Sequence, residues 1–264
     1  FVASYGMAEC SLAVSFAPLG HGADVDYVDS AALAEEQKAR PLHPNRSSKT
    51  IRSNAFTNCG APLPGYEVEV RDDQGQVLPE RHCGTLFVRG PSVMSGYFGD
   101  LKATREVLSP DGWLNTGDLA YRIGNGIVIT GREKDLIIIN GRNIWPQDLE
   151  YLAEKQPEVR TGDASAFSVT GPAKQEQAVM MVQCRESDEK KRADLRERLY
   201  GLVREEFGID CLIELVPRNT LPRTTSGKLS RSGARKEYLK RIKAEQATEL
   251  NESLYTSAFR RQAI

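Results

Sequence analysis

The stretch Gly131–Glu150, GREKDLIIINGRNIWPQDLE, does most to limit how this chain can fold. It opens with charge, passes through the apolar block Leu136–Ile139, breaks at Asn140-Gly141 and restarts as a helix at Pro146. Proline suits that place because its fixed φ fits the first helical turn. Before this stretch the sequence is rich in glycine, proline and short strand-like runs; after it, strands alternate with long charged helices. One periodicity cannot describe both halves. The chain therefore reads as two regions, 1–130 and 136–264, with residues 131–135 as the candidate hinge between them.

In the first region, residues 1–20 read as a short strand, a turn at Tyr5-Gly6 and a helix or irregular stretch. Ala31–Arg40 is a short helix candidate and Pro41–Lys49 an exposed loop. Tyr66–Arg71 alternates with period two into the turn signal Asp72–Gly75, and Thr85–Arg89 is the next strand. Trp113–Asp118 reads as a polar loop, followed by a hairpin of Leu119–Arg122 and Gly126–Thr130. Short strands between regular turns predict a small antiparallel barrel or a distorted sheet.

In the second region, Leu136–Ile139 is a strand, and a helix runs from Pro146 to about Lys155. Ala164–Thr170 and Ala178–Arg185 are strands. Between Ser187 and Phe207, Leu195, Leu199, Leu202, Val203 and Phe207 recur at helical spacing, with Gly208 beyond the end. Cys211–Val216 is a strand, Pro217–Lys228 a loop, and a basic helix starts near Arg231. That order predicts a compact α+β domain.

Composition removes several functions. No apolar run approaches the roughly 20 residues of a membrane helix, so no membrane span is expected. The first ten residues, FVASYGMAEC, lack the basic start of a signal peptide. Five cysteines are odd in number, scattered and without a CxxC pair. They point to a reducing cytoplasm rather than to disulfides or a zinc site. Phe1-Val2-Ala3-Ser4 reads as the middle of a strand, which makes a piece of a longer chain the expectation.

Three short stretches carry chemistry. In LPRTTSGKLSR, Leu221–Arg231, Lys228 follows a small Thr-Thr-Ser-Gly run that can deliver a compact cation to phosphate or carboxylate oxygens. There is no strand followed by GxxxxGK[ST], so this is not a Walker loop. In Thr116-Gly117-Asp118, a carboxylate beside a glycine can accept both hydroxyls of a ribose. In Tyr5-Gly6-Met7-Ala8-Glu9, an aromatic face precedes by four residues a carboxylate suited to a hard cation. Each alone is also an ordinary turn or surface loop.

In order, YGMAE (5–9), GTLFVRGPSVMSGY (84–97), NTGD (115–118), GREKDLIIINGRN (131–143) and LPRTTSGKLSR (221–231) resemble successive core motifs of the adenylate-forming superfamily. That superfamily holds acyl-CoA synthetases, peptide-synthetase adenylation domains and luciferases. The resemblance implies an α/β and α+β fold: the β-rich, barrel-like end of a large adenylation domain, then a small mobile α+β C-terminal domain. It implies ATP and Mg2+ as cofactors. Tyr5, with Gly6, would carry adenine; Glu9 would bind the magnesium; Asp118 would hold the ribose hydroxyls with Arg132 assisting. Lys134 falls at the family's pivot position, and Lys228 would touch the α-phosphate during adenylate formation. The phosphate loop and most of the acyl pocket would lie before Phe1, so residues 1–264 alone are expected to be inactive.

Three departures narrow the resemblance. Ala8 stands where a threonine is usual, about fifty residues separate Glu9 from Asn58 and suggest an insertion near 24–56, and the hinge continues as Arg-Asn-Ile-Trp-Pro-Gln-Asp-Leu-Glu. All three are similar to the fatty acyl-AMP ligases. The expected partners are then a fatty acid and an acyl carrier protein, or a carrier domain of a polyketide or peptide synthase. Trp145, a large side chain beside the expected thiol path, is a reason to favour a carrier-bound arm over CoA. A CoA-transferring synthetase and a non-catalytic carrier-binding relative remain the alternatives.

Between Pro217 and Lys243 nine Lys or Arg residues face one acidic residue, Glu237. Most of these belong to a solvated helix face. Arg231, Arg235 and Lys236 are candidates for docking an acidic carrier protein. No aromatic interleaving accompanies the charge, so nucleic acid is not an expected partner.

Overall fold

The computed structural model describes residues 1–42, 53–171, 175–225 and 227–243. The chain divides into two compact units, Phe1–Lys134 and Asp135–Ile264.

The first unit opens with β1 (Ser4–Tyr5) and a single 3-10 turn at Ala8–Cys10. β2 (Ser15–Phe16) pairs with β1 and with β5 (Ala61–Pro62). Residues on either side of the undescribed stretch 43–52 pair with each other. β3 (Val25–Asp29) pairs antiparallel with β4 (Ser53–Thr57), and α1 (Ser30–Glu36) follows β3 with Asp29 accepting from the Ala31 and Ala32 amides. Aspartate is favoured there because it satisfies amides that the helix leaves free. Most of the Pro41–Lys49 loop lies outside the described residues.

The main sheet is a four-stranded antiparallel meander of β6 (Glu67–Arg71), β7 (Gly84–Arg89), β8 (Leu114–Ile123) and β9 (Gly126–Arg132). Neighbours in sequence are neighbours in space. β6 and β9 form its two ends and do not meet among the described residues, so the sheet is open and not a closed barrel. Val70, Leu86, Val88, Leu114, Ala120 and Ile127 form its buried face, with Cys10 and Val14 packed into the same cluster. A helix that no periodicity announces, α2 (Leu101–Val107), precedes β8; Asp100 caps it by accepting from the Ala103 amide.

A polar loop at Trp113–Asp118 is not what forms. These residues lie in β8 apart from Trp113, with Leu114, Thr116 and Asp118 all turned inward. The partners of β8 show why the stretch is polar: Thr85 faces Leu119 while Phe87 faces Asn115, so β8 carries extra residues as a bulge. Gly117 supplies the left-handed conformation there at φ +67. Thr116 Oγ donates to the Leu86 carbonyl at 2.8 Å, replacing a ladder bond that the bulge interrupts.

In the second unit, β10 (Ile137–Ile139) and β11 (Arg142–Ile144) make a hairpin across Asn140-Gly141, both left-handed at φ 53 and 75. That is the two-residue turn whose twist matches paired strands. α3 (Pro146–Glu154) follows. The sheet of the unit runs β12 (Ala164–Thr170), β13 (Glu176–Gln183), β14 (Cys211–Val216), with β13 and β14 parallel across α4 (Glu189–Phe207). Asp188 caps α4 at one end and Gly208, at φ +67, closes the other. The fifth helix, α5, occupies 231–243 of the described residues.

Helices cover both faces of this sheet, which explains the unbroken apolar run of β13. Ala178, Met180 and Val182 face a cluster with Leu149, Leu195, Leu199 and Val203 from α3 and α4. Val179 and Met181 face the other way, onto Phe167, Leu221, Ala234 and Tyr238. A strand buried on both sides need not alternate. Truncating a fully buried member such as Met180 or Leu199 to alanine costs about 2–5 kcal/mol.

Candidate active site

The first unit gathers its functional side chains on one carboxylate. Asp118 is buried at 5% exposure. Tyr5 Oη donates to its Oδ2 at 2.6 Å, and Arg132 Nε donates to its Oδ1 at 2.9 Å. Arg132 reaches it because the two residues are directly opposed on β8 and β9. The bulge sets the carboxylate in place through the Asp118 amide, which donates to Thr116 Oγ at 3.1 Å. Burial, with the neighbouring Asp118 charge, pushes the Tyr5 phenol far above its ordinary range, so Tyr5 keeps its proton and acts as a donor.

A carboxylate has about four acceptor sites. The donors described here take two at Asp118, which leaves one on each oxygen for a pair of vicinal hydroxyls. That is the chemistry a ribose requires.

Glu9 follows on the 3-10 turn after Tyr5. Tyr97 Oη donates to its Oε1 at 2.9 Å, and the Met94 amide donates to its carbonyl at 2.7 Å. Ser92 Oγ adds a bond to the Cys10 carbonyl at 2.8 Å. The GPSVMSGY stretch therefore braces the 5–10 turn. Glu9 Oε2 accepts nothing among the described residues and is the oxygen that could meet a magnesium ion, whose remaining ligands would be waters and phosphate oxygens. Gly6 has a packing reason to be glycine: a Cβ there would lie 1.7 Å from the Leu12 carbonyl oxygen.

In the second unit, backbone bonds tie the described residues on either side of Lys228. The Thr224 amide donates to the Lys228 carbonyl at 2.8 Å, and the Ser230 amide donates to the Pro222 carbonyl at 3.0 Å. Arg223 donates to the Gly227 carbonyl at 3.1 Å and to the Gly162 carbonyl at 2.8 Å. Lys228 itself is exposed. Arg231 is turned inward, its guanidinium paired with Glu150 at 2.6 Å and Asp135 at 3.3 Å. Arg231 is thus partly covered, whereas Arg235 and Lys236 are exposed. Exposed pairs such as Arg40–Glu36 contribute about 0–1 kcal/mol. The Arg231 side chain keeps 27% of its surface exposed against 10% for Glu150, so this pair lies between a surface pair and a fully buried one. Lys134 is exposed at the division between the units, on the 3-10 turn Glu133–Asp135. Trp145 is 3% exposed and its indole nitrogen has no hydrogen-bond partner among the described residues.

Sequence patterns did not single out Tyr97, Thr116, Glu150 or Asp135. Tyr97 and Thr116 stand in quoted motifs, but their roles depend on partners 88 and 30 residues away.

Residues 1–98 match the AMP-binding enzyme family. A putative acyl-CoA synthetase of Caulobacter vibrioides is 49% identical over 241 residues, covering 90% of this chain and 41% of that protein. The chain belongs to the adenylate-forming superfamily. Within it, a medium-chain fatty acid–acyl carrier protein ligase, JamA, of Moorena producens is 32% identical over 254 residues, covering 89% of this chain and 41% of that protein. A structure solved in a study of fatty acyl-adenylate ligases from E. coli and L. pneumophila superposes with a TM-score of 0.81 at 41% identity, covering 92% of this chain and 42% of that one. The chain thus spans about two fifths of the length of these adenylate-forming relatives. No helix among its described residues is long and apolar enough to cross a membrane.

Proposed function

We propose that this chain serves the ATP-dependent activation of a fatty acid and its transfer to the phosphopantetheine arm of an acyl carrier protein. In the first step a carboxylate oxygen of the acid attacks the α-phosphorus of ATP. A C(O)–O–P bond forms, the bond to the β-phosphate oxygen breaks, and pyrophosphate leaves. In the second step the carrier thiol loses its proton and its sulfur attacks the acyl carbonyl, displacing AMP.

The buried Asp118, held between Tyr5 and Arg132, is the observation that carries this reading. It would accept the ribose hydroxyls while the Tyr5 ring carries adenine and Arg132 stays beside the nucleotide. Glu9 would hold Mg2+, which spreads the negative charge of the phosphates. Lys228, delivered across a hinge at Lys134, would neutralise the charge that builds as two anions meet. Preorganised cations are the dominant means of catalysing such a step.

Support for the fatty acid and the carrier comes from the fatty acyl-adenylate ligase structure and from the Moorena producens relative, named for ligation to a carrier protein. A second reading, transfer to CoA, is favoured by the 49%-identical relative named as a putative acyl-CoA synthetase.

The full-length protein, given ATP, fatty acid and either CoA or a pantetheinylated carrier, decides between them. Acyl-carrier formation without acyl-CoA release supports the proposal, and rapid acyl-CoA release overturns the acceptor. Lys228→Ala should slow adenylate formation by roughly 10²-fold or more. A near-normal rate would take Lys228 out of its role.

A further inference from the structure

Arg231 opens α5 three residues after Lys228, and it joins two parts of the second unit that are far apart in sequence. Its Nε and Nη2 donate to the two carboxylate oxygens of Glu150 at 2.7 and 2.6 Å. Its Nη1 donates to Asp135 Oδ2 at 3.3 Å. Glu150 is itself fixed, since its Oε1 accepts the Ala166 amide of β12 at 3.0 Å. The fork of two parallel bonds sets the orientation of the guanidinium as well as its position.

Asp135 is the first residue of this unit. Immediately before it, Glu133 and Lys134 are exposed and make no side-chain hydrogen bond or ion pair among the described residues. A change of backbone direction at Asp135 or beyond would pull its carboxylate off a guanidinium that Glu150 holds still. A rotation between the units would then fall on the residues before Asp135. On the other side of Arg231, the 222–230 hairpin is closed by its own backbone bonds and runs into α5 without a break.

We propose that Arg231 is a positioning residue: it ties the far side of the pivot to the hairpin that carries Lys228, so that rotation about Lys134 moves the lysine as part of one rigid body. This rests on the adenylation reading for its catalytic consequence, but the mechanical link does not. This role lies inside the unit and acts through Lys228.

Two variants of the full-length protein test the link. Arg231→Lys keeps the charge but loses the fork. Hydrogen exchange should then quicken about fivefold in both the 133–139 and the 222–230 segments, with β12 and β13 unchanged. Asp135→Asn keeps the shape and loses the charge. Its kcat for adenylate formation should fall about tenfold with KM for ATP unchanged, and this loss should vanish in a Lys228→Ala background, because residues acting as one unit are not additive. Wild-type exchange at 133–139 in Arg231→Lys overturns the proposal, as do losses that multiply in the double variant. The exchange result stands whether or not the protein adenylates, so failure of the link and failure of the activity are told apart.

Discussion

Tyr5 Oη donates to Asp118 Oδ2 at 2.6 Å, joining two residues 113 positions apart. In the proposed reaction the contact would give Tyr5 two duties: its ring would carry the base while its hydroxyl fixes the carboxylate proposed for the sugar. The Arg132 bond to the other oxygen completes the arrangement.

Tyr5→Phe separates these duties. The ring stays and one hydrogen bond to a charged group goes, a change of about 1.5–3 kcal/mol. ATP affinity should weaken by roughly tenfold or more, read by calorimetry on the full-length protein, while Tyr5→Ala should weaken it further. Unchanged affinity in Tyr5→Phe would free Asp118 from dependence on Tyr5.

Alkaline pH should destabilise the first unit. Burial, with the help of the Asp118 and Asp26 carboxylates, raises the phenols of Tyr5 and Tyr121 far above the ordinary value. Tyr121 Oη donates to Asp26 at 2.7 Å. Below about pH 10 both states are protonated and the stability is fully present. Above it the unfolded chain releases protons that the folded one retains, so stability falls by up to about 1.4 kcal/mol per pH unit for each tyrosine. Urea midpoints between pH 8 and 11 should fall, and Tyr121→Phe should show a shallower slope. Equal slopes would remove Tyr121 as a cause.

Lys134→Pro bears on the pivot. Proline locks φ near −65° and removes an amide donor, so only one of two backbone settings survives. Pyrophosphate exchange and acyl transfer, measured separately, should diverge, one spared and the other impaired. Equal loss of both would count against a pivot at Lys134.

Charge reversal at Arg235 and Lys236 addresses the carrier. Both are exposed on α5. The double change to glutamate should leave adenylation alone and slow transfer to a carrier roughly tenfold at low salt, with the difference shrinking as salt rises. A variant with the wild-type rate and salt dependence would exclude this surface from docking.

Most of the second unit was legible residue by residue. The helical spacing of Leu195, Leu199, Val203 and Phe207, the Gly208 stop and the Asn140-Gly141 turn are local signals, and α4, β14 and the β10–β11 hairpin stand where they point. The first unit was less so. The polar NTGD stretch reads as a loop because nothing local reveals that a bulge absorbs its polarity, and α2 has too short a pattern to announce itself.

The candidate site divides along the same line. Which residue types are present, and in which order, is a property of the sequence, and this sufficed to point to Tyr5, Glu9, Asp118, Arg132 and Lys228. Their partners are decided only by the fold. Asp118 and Arg132 meet through strand register, Tyr97 reaches Glu9 across 88 residues, and Arg231 finds Glu150 across 81. A charged side chain enters a protein interior only where an opposite charge waits for it. Position along the chain says nothing of that until the chain has folded, and so Arg231, grouped by sequence with two exposed basic residues, stands paired with Glu150 and Asp135.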